Sequence, residues 1–307
     1  IIFLFFGIFL MRFSGQGLMS HTSSTAISRY FEKSRGKSLS ISWLGLSTAE
    51  FILPVLVIYF LTIYSWREVW LGISILIIII LPLIIIFTIK KISFNSREEN
   101  SIFKHKIIIK NWKRSEVLQD YRFYIISLNM LAMPWIFTGI AVYQSFISES
   151  KFWDIYTIPK AFMIYSIASI FTLSCAGFLV DRFTSRKLIP LMNLPLLLSM
   201  VVLIFSSQPI SAYLFLGLIG VSNGFANVLG TSTWAEIYGV KYIGGIKALT
   251  TALMVFSTAF GTAIFGLLID NGFSIENIAS LAITYIVISL SLIIIFKKRL
   301  EPTIFKE

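Results

Sequence analysis

The amino-acid sequence predicts an all-α integral membrane protein built as a bundle of transmembrane helices. Hydrophobic residues make up 56% of the 307 residues and charged residues only 13%, whereas about a quarter of the residues in a soluble domain are charged. Apolar segments of about twenty residues, the length that crosses a bilayer, recur along the chain. Lysine and arginine are concentrated in alternate loops between these segments. Together these observations exclude a soluble domain.

Nine segments have the length and composition of membrane spans. Three of them precede the one long polar segment, Lys90 to Asp120, and six follow it. We interpret this segment as a solvated linker between two helical bundles that lies along anionic lipid headgroups. A regulatory or binding segment is the alternative. The nine predicted spans lie near residues 1–29, 38–63, 67–89, 121–147, 157–180, 187–206, 210–235, 244–269 and 275–296.

The distribution of Lys and Arg predicts the orientation of the chain in the membrane. One side carries 22 of the 26 basic residues; the other side carries Arg67, Lys151 and Lys160, and Arg12 lies within a span. Because the basic side of a membrane protein faces the cytoplasm, we expect a multi-pass protein of the inner cell membrane with a cytoplasmic C-terminus. The net charge of +11 then reflects membrane topology, so no nucleic-acid partner is expected.

The residues that enzymes and metal proteins need are scarce in this sequence. Its single cysteine, Cys175, lies within a predicted span, so neither a disulfide framework nor a cysteine-based zinc site is expected. There are two histidines, no HExxH pattern, no paired acids within a span and no nucleotide-binding motif. We therefore expect no enzyme activity, no catalytic residue, no cofactor and no bound metal.

A weak internal repeat relates the first three spans to the last three. Sliding the chain along itself by about 207 residues pairs Gly17 with Gly224 and Ser24 with Thr231, and places the turn SRYFEKSRGK on AEIYGVKYIGG. Transporters are often built from such repeats. A second half of six spans implies a first half of six, so we expect the sequence to be a piece that lacks three earlier spans. The predicted regions are residues 1–89 as the last three helices of the first bundle, 90–120 as the cytoplasmic linker and 121–307 as a complete six-helix bundle with a short tail.

The turn GFLVDRFTSRK resembles the signature loop of the major facilitator superfamily, in which Gly-x-Leu-x-Asp-Arg precedes a basic cluster. It departs from that pattern at Thr184, where the family usually has glycine, so we expect a less tight turn. The segment RFSGQG in the first span is similar to an Arg-x-x-Gly-x-Gly pattern of the family's fourth helix. The residues of the turn that match are Gly177, Leu179, Asp181, Arg182, Arg186 and Lys187.

Two further turns, ISRYFEKSRGKSLS and WAEIYGVKYIGGIKAL, resemble those of bacterial carriers related to monocarboxylate and oxalate/formate transporters. The resemblance covers the chain as helices four to twelve of twelve. It implies a monomeric secondary active transporter in the lipid bilayer that moves a small organic anion or similar metabolite by alternating access, with a proton as the candidate coupling ion. A non-transporting membrane sensor on the same fold, or a membrane-embedded enzyme, is the alternative.

The signature turn is predicted to act at a cytoplasmic gate. Asp181 ends its helix, where an acid can face the positive N-terminus of a neighbouring helix. Arg182, Arg186 and Lys187 can pair with acids or carbonyls on the same surface, although Lys187 is also explained by topology alone. Glu236 is predicted to join this gate through an ionic latch with Lys247.

Three ionisable residues within the first two spans are candidates for transport. Arg12 is costly in a membrane and must face protein or water. It shares a helical face with Gln16, which the resemblance places on the substrate pathway; a structural tie to carbonyls is the alternative. His21 and Glu50 are coupling candidates, but helix packing for His21 and a neutral hydrogen bond for Glu50 are equally simple explanations.

Four amide side chains are predicted to line the substrate pathway: Asn129, Gln144, Asn223 and Asn227. The resemblance places their helices around the central cavity, and the alternative is packing between helices. In the related anion carriers, cationic side chains in the helices matching the fifth and eighth spans hold the carboxylate. Neither span has a mid-helix Lys or Arg here, so a dicarboxylate substrate is not supported by the resemblance.

Overall fold

The computed structural model describes residues 2–31, 34–89, 110–154 and 156–303. Within these ranges every regular element is helical, which confirms the all-α prediction. The helices are α1 (Ile2–Met11), a π-helical segment (Arg12–Met19), α2 (Ser20–Tyr30), α3 (Arg35–Leu61), α4 (Trp66–Ile89), α5 (Arg114–Val117), α6 (Tyr121–Val142), α7 (Gln144–Ser150), α8 (Thr157–Phe183), α9 (Ser185–Phe205), α10 (Pro209–Tyr238), α11 (Ile243–Asp270), α12 (Ile275–Ile295) and a 3₁₀ turn (Lys297–Arg299).

Eight helical segments in the described part of the chain are long and apolar enough to cross a membrane, and each matches a predicted span. The ninth predicted span, 38–63, corresponds to α3, a 27-residue helix that is not among the eight. The fold is therefore a multi-pass helical bundle. The eight segments are Phe3–Tyr30, Trp66–Phe87, Tyr121–Val142, Thr157–Phe183, Ser185–Phe205, Pro209–Tyr238, Ile243–Asp270 and Ile275–Ile295.

The chain divides into two compact units, one formed by residues 1–48 and 108–307 and the other by residues 49–107. The second unit contains the end of α3 and all of α4. At the start of α4, Ser65 and Glu68 cap the helix reciprocally: the Glu68 carboxylate accepts the Ser65 N–H at 2.8 Å, and the Ser65 hydroxyl accepts the Glu68 N–H. This Ser-x-x-Glu pattern fixes where the helix begins. The predicted region boundaries at 90 and 120 remain a prediction.

Close helix contacts in the first unit depend on small residues. A side chain on Gly220 of α10 would meet the backbone of Tyr165 in α8, and one on Gly261 of α11 would meet the backbone of Trp135 in α6. Small residues allow helix backbones to approach in this way. Large aromatic side chains fill the space beside these contacts, as where the rings of Trp135 and Phe265 meet edge to face. The α8·α10 and α6·α11 pairs are therefore closely packed, and α6, α10 and α11 line the cavity described below.

The first predicted span is a continuous helix whose middle, Arg12–Met19, is π-helical. A π-helix bonds i to i+5 and has more residues per turn than an α-helix. The side chains of Arg12, Gln16 and Glu50 lie outside the described residues, so the predictions made for them remain predictions.

Candidate functional site

A cavity of about 340 Å³ lies in the first unit, between α2, the start of α3, α6, α10 and α11. Its walls combine apolar and aromatic side chains with hydroxyl and amide groups, the usual character of a small-molecule site. The polar groups come mainly from α10 and α11, and α6 supplies methionine and aromatic surface. The polar and charged lining residues are Ser20, His21, Ser24, Ser127, Thr138, Asn223, Asn227, Thr231, Lys247, Thr250, Thr251 and Thr258.

Lys247 is the cation of this cavity. It lies one turn inside α11, is 8% exposed, and its Nζ donates a hydrogen bond to the Thr231 hydroxyl at 2.8 Å. Among the residues that the structure describes, no carboxylate forms an ion pair with it. A buried cation is costly unless an anion or several acceptors face it, and within the described part of the chain the charge of Lys247 is not compensated by an acid.

The sequence prediction for Lys247 is wrong. It was expected to pair with Glu236, but Glu236 accepts the backbone N–H of Ser185 at 2.8 Å and lies 3.3 Å from the Nε of Arg186. Lys247 lies near the start of the predicted span 244–269 and was therefore grouped with the basic residues of the cytoplasmic side. The sequence does contain a pattern that indicates the direction of Lys247. Polar residues and a methionine follow it at helical spacing, on the same face of an otherwise apolar helix: Thr250, Thr251, Met254 and Thr258.

The four predicted amide residues divide into two pairs. Asn223 and Asn227 line the cavity, and the Asn223 amide donates to the Ser169 hydroxyl at 3.1 Å. Asn129 is fully buried and does not line the cavity; its backbone carbonyl accepts the amide of Asn193 at 2.7 Å, across the contact between α6 and α9. Gln144 is exposed because α6 ends at Val142 and a new helix, α7, starts with Gln144. Neither of these last two residues lines this cavity, and their place on the substrate pathway remains a prediction.

His21 lines the cavity and also joins two helices. Its Nε2 lies 3.1 Å from the backbone carbonyl of Gly244, at the start of α11. A ring nitrogen that carries a proton donates to this carbonyl, so the contact ties α2 to α11. The two predicted roles, helix packing and proton transfer, are therefore compatible at this position.

Asp181 caps the N-terminus of α3, which confirms the prediction that it faces the positive end of a neighbouring helix. Its two carboxylate oxygens accept the backbone N–H of Gly36 at 2.8 Å and of Lys37 at 3.1 Å. These N–H groups belong to the first turn of α3, which has no acceptor of its own for them. Gly177 makes the approach possible, since a side chain there would meet Ser40 and the carbonyl of Gly36.

The basic residues of the signature turn have different surroundings. Arg186 lies 3.3 Å from Glu236 and 3.4 Å from Glu301, so it joins α9, α10 and the tail after α12. The guanidinium of Arg182 stacks on its neighbour Phe183, 5.3 Å from the ring centroid. Lys187 is exposed and makes no ion pair with any residue in the described part of the chain. Arg186 alone therefore links several elements at the predicted gate.

Thr184 ends α8 and adopts φ 70° and ψ 144°. This region of backbone conformation is nearly restricted to glycine, and a β-branched residue there is strained. The expectation of a less tight turn is therefore wrong: the turn keeps the backbone conformation that suits glycine and holds threonine in it.

The sequence model of the Major Facilitator Superfamily matches residues 1–262. No curated protein matches the chain. The match includes the signature turn, the capped start of α3, and every residue that lines the cavity. The chain therefore belongs to the Major Facilitator Superfamily, a family of membrane transporters.

Proposed function

We propose that the protein is a secondary active transporter that moves a small organic anion across the inner membrane by alternating access, acting as a monomer. The observation that carries this proposal is the buried Lys247 in the cavity, whose ammonium group has a hydroxyl partner but no carboxylate partner among the described residues. An anionic substrate would supply the missing charge. We place the end of the bundle that carries the signature turn, with the C-terminus, in the cytoplasm, because that side carries most of the basic residues.

The size and lining of the cavity support a small substrate. A volume of about 340 Å³ is near the lower limit of small-molecule sites. Lys247 offers a charged donor, and Asn223, Asn227 and Thr251 offer neutral donors and acceptors around it. One cation suits one carboxylate, which agrees with the resemblance to monocarboxylate carriers.

The contacts at the signature-turn end support a gate. Asp181 joins α8 to the start of α3, and His21 joins α2 to the start of α11. Opening the cavity toward this end would require these contacts to break together. Because His21 also lines the cavity, it is the described residue best placed to couple a proton to substrate movement; Glu50 is retained as a second candidate.

Transport by the purified protein reconstituted in proteoliposomes tests the proposal. We expect gradient-driven uptake of at least one labelled small carboxylate, and we expect Lys247→Gln to weaken it by roughly thirtyfold or more, since removing one partner of a buried charge pair costs about 2–5 kcal/mol. The matched control is Lys160→Gln, an exposed lysine at the other end of the bundle, which should transport normally. Absence of flux for every small carboxylate under both proton and substrate gradients would contradict the proposal.

A further inference from the structure

A second pocket, of about 460 Å³, lies at the signature-turn end of the first unit and shares no lining residue with the cavity. Three segments that are distant in sequence form it: the end of α2, the residues around the start of α5, and the turn between α10 and α11. We call it the basic pocket. It is lined by four cationic side chains, Arg29, Lys113, Arg114 and Lys241.

Among the residues that the structure describes, no acidic residue lines the basic pocket. The nearest acid along the chain, Glu116, is engaged elsewhere, because it pairs with Lys110 at 2.8 Å and accepts the Lys113 N–H at 2.6 Å. In the described part of the chain none of the four cations forms an ion pair. Four like charges around one concave surface repel one another and concentrate a positive potential there, so the pocket favours an anion of more than one charge or a strongly charged headgroup.

The geometry brings the three segments into contact distance at the start of α11. A Cβ placed on Gly244 would lie 3.7 Å from the Thr25 side chain of α2, and one on Gly245 would lie 3.9 Å from the Cβ of Arg114. Both glycines belong to the first turn of α11, a helix of 28 residues. The N–H groups of Ile243 and Gly245 at this helix end already donate to the carbonyls of Val240 and Tyr242. The four cationic side chains therefore supply the donors that an anion in this pocket would use.

The wall that carries Lys113 and Arg114 is held in place. The Lys110 N–H donates to the Thr303 carbonyl at 2.9 Å, and the Trp112 N–H donates to the Tyr238 carbonyl at 3.0 Å. The Asn111 side chain accepts the Lys241 N–H at 3.1 Å, which joins this wall to the turn before α11. The pocket is thus organised before any ligand arrives, and binding needs little reordering of the backbone.

We propose that the basic pocket binds a phosphate group, presented either by an anionic lipid headgroup or by a soluble phosphate. A phosphate accepts several charge-assisted hydrogen bonds at once, which matches cations that converge from three directions. Because the pocket joins α2 to the start of α11, an occupied pocket holds the signature-turn end closed. This inference is independent of the substrate proposed for the cavity.

Membrane topology alone does not explain this arrangement. It requires basic residues on one side of the membrane, but it does not require them to converge on one pocket. Lys297 and Lys298 show the difference: they are exposed after α12 and line neither pocket. They therefore provide a control with the same loss of charge.

Lipid binding to the purified protein, measured by native mass spectrometry, tests the lipid source. We expect phosphatidylglycerol to bind at least about tenfold more tightly than phosphatidylcholine, as loss of charge-assisted contacts implies. Arg114→Gln with Lys241→Gln should remove this preference, whereas Lys297→Gln with Lys298→Gln should keep it. Gly245→Leu fills the pocket without changing the charge and should also remove the preference.

Titration of inorganic phosphate in a neutral detergent, followed by the melting temperature, tests the soluble source. Two results together would assign the site to soluble phosphate. Phosphate raises the melting temperature and the double variant Arg114→Gln with Lys241→Gln abolishes this rise, and the two lipids bind equally tightly. A phosphatidylglycerol preference without a phosphate response assigns it to lipid. Any of three results would overturn the proposal. The pocket and control variants lose binding equally, Gly245→Leu binds as the unsubstituted protein does, or neither the lipid nor the phosphate gives a response. Melting temperatures without ligand show that each variant is folded.

Discussion

The signature turn and the central cavity differ in how their charges are compensated. At the turn, Asp181 accepts two backbone N–H groups and Arg186 lies between two glutamates. In the cavity, Lys247 has only the Thr231 hydroxyl among the described residues. Charges that are already compensated stabilise one arrangement of helices, whereas an uncompensated buried charge raises affinity for an external anion. We therefore propose that the turn stabilises one arrangement of the helices and that the cavity binds the substrate.

Reversing the charge in the cavity should have the largest effect. We expect Lys247→Glu to abolish binding of small carboxylates, because the variant places an acid where the substrate carboxylate would lie. Equilibrium binding of a labelled carboxylate to the purified protein measures this. Lys160→Glu is the control, and retained binding in Lys247→Glu would break the distinction between the two regions.

Removing the charge from the turn should have a smaller effect on the same protein. Asp181→Asn keeps an acceptor oxygen but loses the favourable charge at the N-terminus of α3, worth about 1 kcal/mol. We expect slower transport, by roughly fivefold, with normal membrane insertion and unchanged carboxylate affinity. Asp270→Asn, an exposed acid at the end of α11, is the control. Normal flux in Asp181→Asn would show that the turn has no role in gating and only sets the orientation of the chain in the membrane.

Relieving backbone strain in the turn should change stability slightly. Thr184→Gly removes a strain of about 1–3 kcal/mol but adds about 1 kcal/mol of chain entropy to the unfolded state. We expect the melting temperature to rise, with at most about 1–2 kcal/mol of stabilisation. Thr184→Ala should give no such rise, since alanine has the same conformational preference against this backbone region. Equal rises in both variants would show that the positive φ is not the cause.

The smallest expected effect is on the pH dependence of stability, and it comes from the ion pair between Lys110 and Glu116 close to the basic pocket. The hydrogen bonds from Lys110 and from the Lys113 backbone lower the pKa of Glu116. Because the folded-state pKa is the lower one, the stabilisation is fully present above the ordinary carboxyl pKa and is lost as the pH falls through the lowered value. We expect Glu116→Gln to flatten the acid side of the stability profile slightly, measured by melting temperature against pH. Glu149→Gln, at an exposed position, is the control and should leave the profile unchanged. An unchanged profile in Glu116→Gln would show that the contacts of Glu116 are equally favourable in the unfolded chain and add no stability on folding.

The parts of the fold that depend on length and composition could be predicted from the sequence. A span needs only enough apolar residues, so eight of the nine predicted spans match the helices found to be long and apolar enough. The cap made by Asp181 was also predictable, because an acid at the end of one helix beside a short turn has few favourable positions other than a helix N-terminus.

The direction in which a side chain faces could not be predicted. Asn129 was expected at the cavity, but the rotation of α6 is set by contacts such as that of Gly261 with Trp135, which the sequence does not reveal. Gln144 does not line the cavity, because the helix ends at a break at Tyr143 that no glycine or proline signals. Lys247 was grouped with the basic residues of the cytoplasmic side because it lies near the end of its predicted span, although its side chain faces the cavity.

The melting temperature of the purified protein in the presence of small ions tests the central claim most directly. A ligand that binds only the folded protein raises the melting temperature, and the rise grows with the logarithm of the ligand concentration once that concentration exceeds the Kd. We predict that a small carboxylate stabilises the protein, that an amine of similar size does not, and that Lys247→Gln abolishes the response while Lys160→Gln retains it. Equal stabilisation by the amine, or an undiminished carboxylate response in Lys247→Gln, would contradict the account.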